Sequence, residues 1–472
     1  MRKVLGITIL IGLTALLYHC RPERNYIEDM DATLEFSVDT VYFDTIFTTI
    51  GTTTKFFTII NPYSRFIKIE DIKLAGGSES VFRINVDGVP GIEFSNYEIA
   101  PEDSMYVFVE ATLDPNGDPN ILRIQDSITF SVNGNLQDVD LVAWGQDVHL
   151  LRDSILDYST TWNSEKPYLI IGGILVDSLQ TLIMEEGTRI YMHRDAVIYV
   201  KGSLQINGSL DSPVTILGDR LEYDYRDIPG QWGYIFFLNG SMQNSINYAE
   251  IKNGTIGLLV NSPMYGEDPV LRIQNTEINH MSYDGILAQG TTIEASNTVI
   301  GDCGNSSVEL LYEGAFVFTH CTIYNNWNTG YSNRKTPAVF IANYLPISNT
   351  EIITSNIVQA DFRNCIISGS RAHEISISTS DAGELSYFFD HCLTKIDLEK
   401  YDYTQDAKFF SIINNEAVRF DTIPGSYQLD SLSPAINKGA PDYAVPIPFD
   451  KNGVDRFAYG LPDLGAYERI SE

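Results

Sequence analysis

Basic residues are scarce in this chain. Over 472 residues there are 31 Lys and Arg against 62 Asp and Glu, a net charge of −31. A nucleic-acid partner needs a basic face to neutralise its phosphates, so the composition argues against one. The acidic excess reads either as a solvated surface or as carboxylate clusters able to hold calcium. Long apolar runs are missing too. The one exception, residues 4–17, is too short to span a bilayer comfortably. No stretch keeps a 3.6-residue period, which excludes long helices. Cysteine is rare: five residues, with only Cys20 ahead of Cys303, so no disulfide framework staples the first half. Neither a Gly-rich phosphate loop nor a nucleophile elbow is present.

What is abundant is strand and turn material. There are 27 Tyr, 23 Phe and 35 Gly, a mixture that favours strands. The length predicts more than one domain. Between residues 33 and 150, short alternating runs such as "TLEFSVDTVYF", "KFFTIINPY" and "MYVFVEATLDP" are separated by Asn-Pro, Gly-Gly and Asp-Gly turns. This pattern predicts an immunoglobulin-like β-sandwich held by burial alone. From Tyr168 onward the runs shorten, and Gly, Asn and Asp recur at tight intervals.

One phrase returns along this second part. "NYAEI", "QNTEI", "SNTVI", "THCTI", "RNCII" and "DHCLT" align on Tyr248, Asn275, Asn297, His320, Asn364 and His391. The intervals are 27, 22, 23, 44 and 27, with 44 taken as two turns of 22. A fixed period of this size is that of a solenoid. The residue after each aligned position (Ala249, Thr276, Thr298, Cys321, Cys365, Cys392) is expected to point inward and stack on its neighbours. One cysteine per coil makes a line rather than a point, which disfavours a zinc site. A Cys365–Cys392 disulfide between adjacent coils stays conceivable.

Several resemblances add to this reading. "EEGTRIYMH" and "IYVKGSLQINGSLDSPVTI" closely resemble the opening coils of right-handed parallel β-helix proteins, which places such a helix over residues 165–400. "IAPEDSMYVFVEATLDP" resembles bacterial sandwich modules that act as spacers or adhesion units. "DSLSPAINKGAPDY" and "FDKNGVDRFAYGLPDLGAYE" resemble the C-terminal segment of bacterial surface β-helix proteins. Over residues 401–472 that resemblance implies a cap on the open end, with Arg456 paired to Asp450, Asp463 or Glu468; calcium binding by those carboxylates is the other reading. Arg2 and Lys3, the apolar run and Cys20 resemble a bacterial lipoprotein signal, in the loose form common among Bacteroidetes, with Tyr18 and His19 before the cysteine. That implies a signal over residues 1–20, a lipid on Cys20, a tether over 21–32 and a lipid-anchored place at the outer membrane. A secretory signal with an incidental cysteine is the alternative.

For function, the strand phrases show no charged cluster recurring at the coil period. Asp284, Glu309 and Glu313 read as isolated, and Arg334 and Lys335 as part of a solvated side loop. Tyr324, Trp327 and Tyr331, in "YNNWNTGYSN", form the candidate ligand-binding set, since aromatic faces with amide neighbours suit sugars or peptides. The expectation is a cell-envelope protein that binds or scaffolds a polysaccharide or partner protein, without a cofactor other than calcium. A polysaccharide lyase or glycoside hydrolase on the β-helix is the alternative. If Cys20 is the anchor, Cys20→Ala should release the protein from membrane fractions or block its maturation; unchanged detergent partitioning would contradict this.

Overall fold

Alternating inward and outward side chains build the first unit. In the strand Ile67–Leu74, Ile67, Ile69, Ile72 and Leu74 are buried while Lys68 and Glu70 face water. In a computed structural model of the chain, residues 24–470 are described, apart from 49–50, 115–121, 264–267, 328–332, 349–350, 402–406 and 424. Cys20 therefore lies outside the described residues. The chain divides after Asp147 into two units. In the first, one sheet joins Glu35–Phe36, Lys55–Ile60, Ser104–Ala111, Phe82–Val86 and Val89–Gly91. The other joins Thr40–Phe47, Asn135–Gln146, Leu122–Val132, Ile67–Leu74 and Glu93–Ile99. One apolar core lies between them, including Phe43, Phe57, Phe82 and Phe130. Two of its hairpins turn at Asp87-Gly88 and Asn133-Gly134, all four residues at positive φ, as such two-residue turns require.

The second unit is a solenoid of parallel strands. Each coil presents three faces in turn. Face I includes Val214–Gly218, Ala249–Lys252, Glu277–Met281, Val299–Cys303, Thr322–Asn325 and Ile366–Gly369. Face II includes Val197–Val200, Ile235–Phe237, Leu258–Val260 and Val339–Ala342. Face III includes Ser203–Asn207, Asn244–Asn247, Leu271–Gln274, Ile357–Arg363 and Phe388–Asp390. The all-β class, a sandwich followed by a parallel β-helix, is what the chain forms.

The recurring phrase is the corner from face III to face I. Tyr248, Asn275, Asn297, His320, Asn364 and His391 have φ of 49°, 50°, 49°, 53°, 54° and 48°. Asn and His are among the residues that tolerate this left-handed conformation best. The residue that follows is buried in every coil, from Ala249 to Cys392. The phenylalanine three residues before Cys321, Cys365 and Cys392 points inward as well. Phe318, Phe362, Phe389 and Phe409 stack in a column, with centroids 5.0, 4.8 and 5.3 Å apart and planes within 5°, 4° and 15°. Each buried ring contributes about 1.5–3 kcal/mol relative to exposure.

Three expectations are corrected. The 44-residue interval is one coil rather than two: Phe318 pairs directly with Phe362 and Thr322 with Ile366. The additional length includes a strand pair, Tyr344–Pro346 with Ile352–Thr354, lying outside the coil ladder. The solenoid starts at His149, where His149–Leu156 already pairs with Tyr168–Val176, rather than near 165. At the other end Phe409–Phe410 and Ile413–Asn414 still belong to the ladder, so it runs past 400.

The contacts described for the C-terminal segment lie on the side of the solenoid. The segment runs back along the flank and docks on the corner ladder. Ala440 N–H donates to Asn364 Oδ1 (2.8 Å), and Asn364 Nδ2 donates to Ala440 O (2.9 Å). Asn297 Nδ2 donates to Phe449 O (2.9 Å) and its Oδ1 accepts from Arg456 Nη2 (2.7 Å). Lys451 and Tyr467 both reach Glu277 Oε1 at 2.8 Å. Arg456, fully buried, pairs with Glu468 at 2.5 Å. Gly465 has φ +90°, and a Cβ there would sit 2.6 Å from Thr322 Oγ1, so the tight approach requires glycine. The carboxylates named as calcium candidates are already engaged. Asp450 accepts from the N–H of Asn452, Val454 and Glu468, and Asp463 from those of Asn437 and Arg469.

Cys303, Cys321, Cys365 and Cys392 are buried free thiols. Burial pushes the pKa of Cys303, Cys321 and Cys392 up, so they are protected from reaction. Protein expressed without its first 20 residues should label slowly when native and yield four thiols on denaturation without reductant. Two thiols would reveal a disulfide.

Candidate functional site

The three faces differ outside the core. On face III the outward positions Gln205, Ser245, Arg272 and Glu294 are aligned partners and polar. Face I is partly covered by the C-terminal segment through Glu277, Asp302 and Thr322. Face II is apolar. Ile155, Leu175, Tyr199, Phe236, Leu259 and Leu287 are aligned partners on six successive coils. Their chain neighbours, such as Ile198 and Val200 or Ile235 and Phe237, fill the core, so strand alternation turns this row outward. Ile155 is 63% exposed and the other five are half-buried. Tyr234 extends the row, its ring 6.0 Å from that of Phe236. At one coil per strand spacing the row is roughly 24 Å long.

The row continues in register to Glu309 and then Phe340. Glu309 belongs to a buried polar group at the corner between faces I and II. Asn305 Nδ2 donates to Asp284 Oδ1 (2.8 Å) and to Glu309 Oε2 (3.2 Å). The Ser306 N–H donates to the same Asp284 oxygen (2.9 Å). Asp284 is fully buried. Burial, reinforced by the Glu309 charge, pushes its pKa up to about 8, and burial also raises that of Glu309. Asp284 is thus a neutral acid near pH 7, sealed behind a carboxyl that reaches the surface. Tyr283, 48% exposed, stands beside it.

The residues singled out from sequence fall in different places. Tyr324 is removed from the candidate ligand surface: its ring packs edge-on against Phe420 at 4.9 Å and against Tyr427 at 6.2 Å, under the C-terminal segment. Trp327 is half-buried, its indole laid against Gly304 one coil away, where an added Cβ would lie 3.2 Å from Cζ2. Tyr331 lies outside the described residues. Asp284 and Glu309, read as isolated, are brought together because 25 residues here is about one coil. Glu313 sits apart, in a cleft of about 310 Å³ with Gly290, Thr291, Ser355 and Asn356. Arg334 is not solvated; its side chain is buried and paired with Glu374 at 2.6 Å. The outward row on face II went unnoticed, although "GILV", "IYV", "IFF" and "GLLV" each carry one member. Aligning them by coil would have shown it.

Residues 233–386 match the family model described as a right handed beta helix region. These coils define the chain as an all-β protein with a right-handed parallel β-helix. No curated protein matches the chain. Among solved structures, it is similar to the catalytic unit of a thermostable GH87 alpha-1,3-glucanase from Streptomyces thermodiastaticus, at 10% identity and a TM-score of 0.24, over 76% of this chain and 89% of that one. It is also similar to a family 123 glycoside hydrolase from Clostridium perfringens, at 9% identity and a TM-score of 0.18 over 25% of this chain. This chain spans about a quarter of the latter's length, 26%. At such scores neither likeness bears on activity.

The Asp284 environment has a measurable consequence. Its folded pKa of about 8 lies above the ordinary 3.8. The protonated acid therefore supports the fold below about pH 4, and that contribution is lost as pH rises through the folded value. Asp284→Asn keeps a neutral, hydrogen-bonding side chain. Its Tm should fall less than that of the wild type between about pH 5 and 8; parallel profiles would contradict the assignment.

Proposed function

We propose that this chain is a cell-envelope lipoprotein, anchored at the outer membrane through Cys20, that binds a glycan or an envelope protein along face II. The carrying observation is the row Ile155, Leu175, Tyr199, Phe236, Leu259 and Leu287, aligned over six coils. A contiguous apolar strip on a soluble surface is a site of interaction. Rings at Tyr199, Tyr234 and Phe236 offer flat faces to sugars or to apolar side chains.

A carbohydrate-active enzyme is the second reading, and the Asp284–Glu309 pair favours it. A carboxylic acid kept protonated near neutral pH is what a general acid needs. Against it, Asp284 is sealed from solvent and only Glu309 of the pair reaches the surface. Glycoside hydrolysis normally requires two carboxyl groups flanking the scissile bond.

The test is retention of purified protein on immobilised envelope polysaccharides and envelope proteins, with chain length of the polysaccharide followed in parallel. Tyr199→Ala with Phe236→Ala should cut retention at least tenfold without changing Tm by more than a few degrees. Depolymerisation abolished by Glu309→Gln would overturn the binding reading in favour of the enzyme.

A further inference from the structure

We infer that the corner between faces I and II in the later coils is an oxyanion site, for a carboxylate or sulfate group. The face I strands Thr322–Asn325, Ile366–Gly369 and Leu393–Thr394 pair in order, so the turns that follow them lie on adjacent coils. Those turns carry Arg334, Lys335, Arg371, Lys395 and Lys400 together with the carboxylates Glu374, Asp397 and Glu399.

Glu374 is already saturated. It accepts from Arg334 Nη2 (2.6 Å), Arg371 N (2.8 Å) and Ala338 N (2.9 Å). Further donors of the cluster meet backbone carbonyls: Arg334 Nη2 meets Asn325 O (2.8 Å), Arg371 Nη1 meets Arg334 O (2.9 Å) and Lys395 Nζ meets Gly369 O (2.5 Å). Even so, Arg334 Nε, Arg371 Nε and Thr336 Oγ1 are buried with no partner. The Arg334 side chain is fully buried. Buried donors without acceptors are rare and costly. Three in one turn cluster, two of them on guanidinium groups, mark a place that among the described residues lacks an acceptor with several lone pairs. An oxyanion supplies that, and guanidinium groups are the side chains that hold one best. Arg371 is half-buried and Lys335 exposed, so both give the ion a route from solvent.

The site leads directly into the face II strand Val339–Ala342, which makes an acidic group on a glycan one source of the anion; free sulfate or phosphate is the other. The test is calorimetric titration of the whole protein with sodium sulfate, and separately with a carboxylate-bearing oligosaccharide, at constant ionic strength set by chloride. Saturable binding of sulfate is expected, weakened at least tenfold in Lys335→Gln/Arg371→Gln while Tm without ligand changes little. The buried Arg334 is left intact because its loss would strand Glu374. If the oligosaccharide binds more tightly than sulfate, the site serves a glycan; if sulfate alone binds, it serves a free ion. No saturable binding of either, or binding unchanged in the double variant, overturns the proposal. Tyr199→Ala with Phe236→Ala should leave sulfate binding intact, which separates failure here from failure of the face II reading.

Discussion

Each coil turns from face III to face I through one residue in the left-handed region, followed at once by a small side chain that must point inward. The rest of the second unit hangs on this turn. It sets which side chains enter the core, and so stacks Thr276 on Thr298 and brings the thiols of Cys321, Cys365 and Cys392 to successive levels. It also aligns the amides outside. Asn297 Nδ2 donates to Asn275 Oδ1 (3.0 Å), and Asn364 Nδ2 meets His320 Nε2 (3.0 Å). The same Asn297 and Asn364 then hold the C-terminal segment. Burial and the Arg456 guanidinium keep the His320 pKa well below the ordinary imidazole range, so the imidazole stays neutral under the segment. Binding a flank segment and turning a coil are done by the same side chains.

The repeat was legible because the turn chemistry is local. A backbone with φ near +50° selects Asn or His, and a narrow interior selects Ala, Thr or Cys after it; both leave a mark every coil. What was misread depends on register instead. An excursion of about one coil's length, around Tyr344–Thr354, is arithmetically identical to a coil, and only the pairing of Phe318 with Phe362 distinguishes them. Arg334 and Glu374 lie 40 residues apart, so their ion pair is invisible until the coils are laid in order. For the C-terminal segment the Arg456–Glu468 pair was readable from its motif, whereas its docking surface was not, because Asn297 and Asn364 carry no local sign that a distant segment will use them.

The three faces divide the labour of the solenoid. Face I takes the C-terminal segment, through ionic and tyrosine contacts to Glu277 and Asp302. Face III keeps a polar outer surface, with Arg272 paired to Glu294 at 3.2 Å and Arg363 to Asp361 at 2.6 Å. Among the described residues, face II alone shows an apolar row running over six coils. Ile155 is exposed and the other five members are half-buried, and this alignment is what the proposed binding role rests on. The polar pair Asp284–Glu309 and the cationic corner around Arg334 both border this face, which concentrates the chemical variety of the solenoid along one side.

Hydroxyl-radical footprinting tests that assignment most directly. The purified protein and the protein in intact envelopes would be oxidised in parallel, and modification at Tyr199, Phe236, Leu259 and Leu287 compared with that at exposed side chains elsewhere, such as Tyr106 and Leu136 of the sandwich. The face II row should be reactive in the purified protein and several-fold protected in the envelope, with the sandwich positions unchanged. Equal reactivity of the row in both states would contradict a binding role for face II.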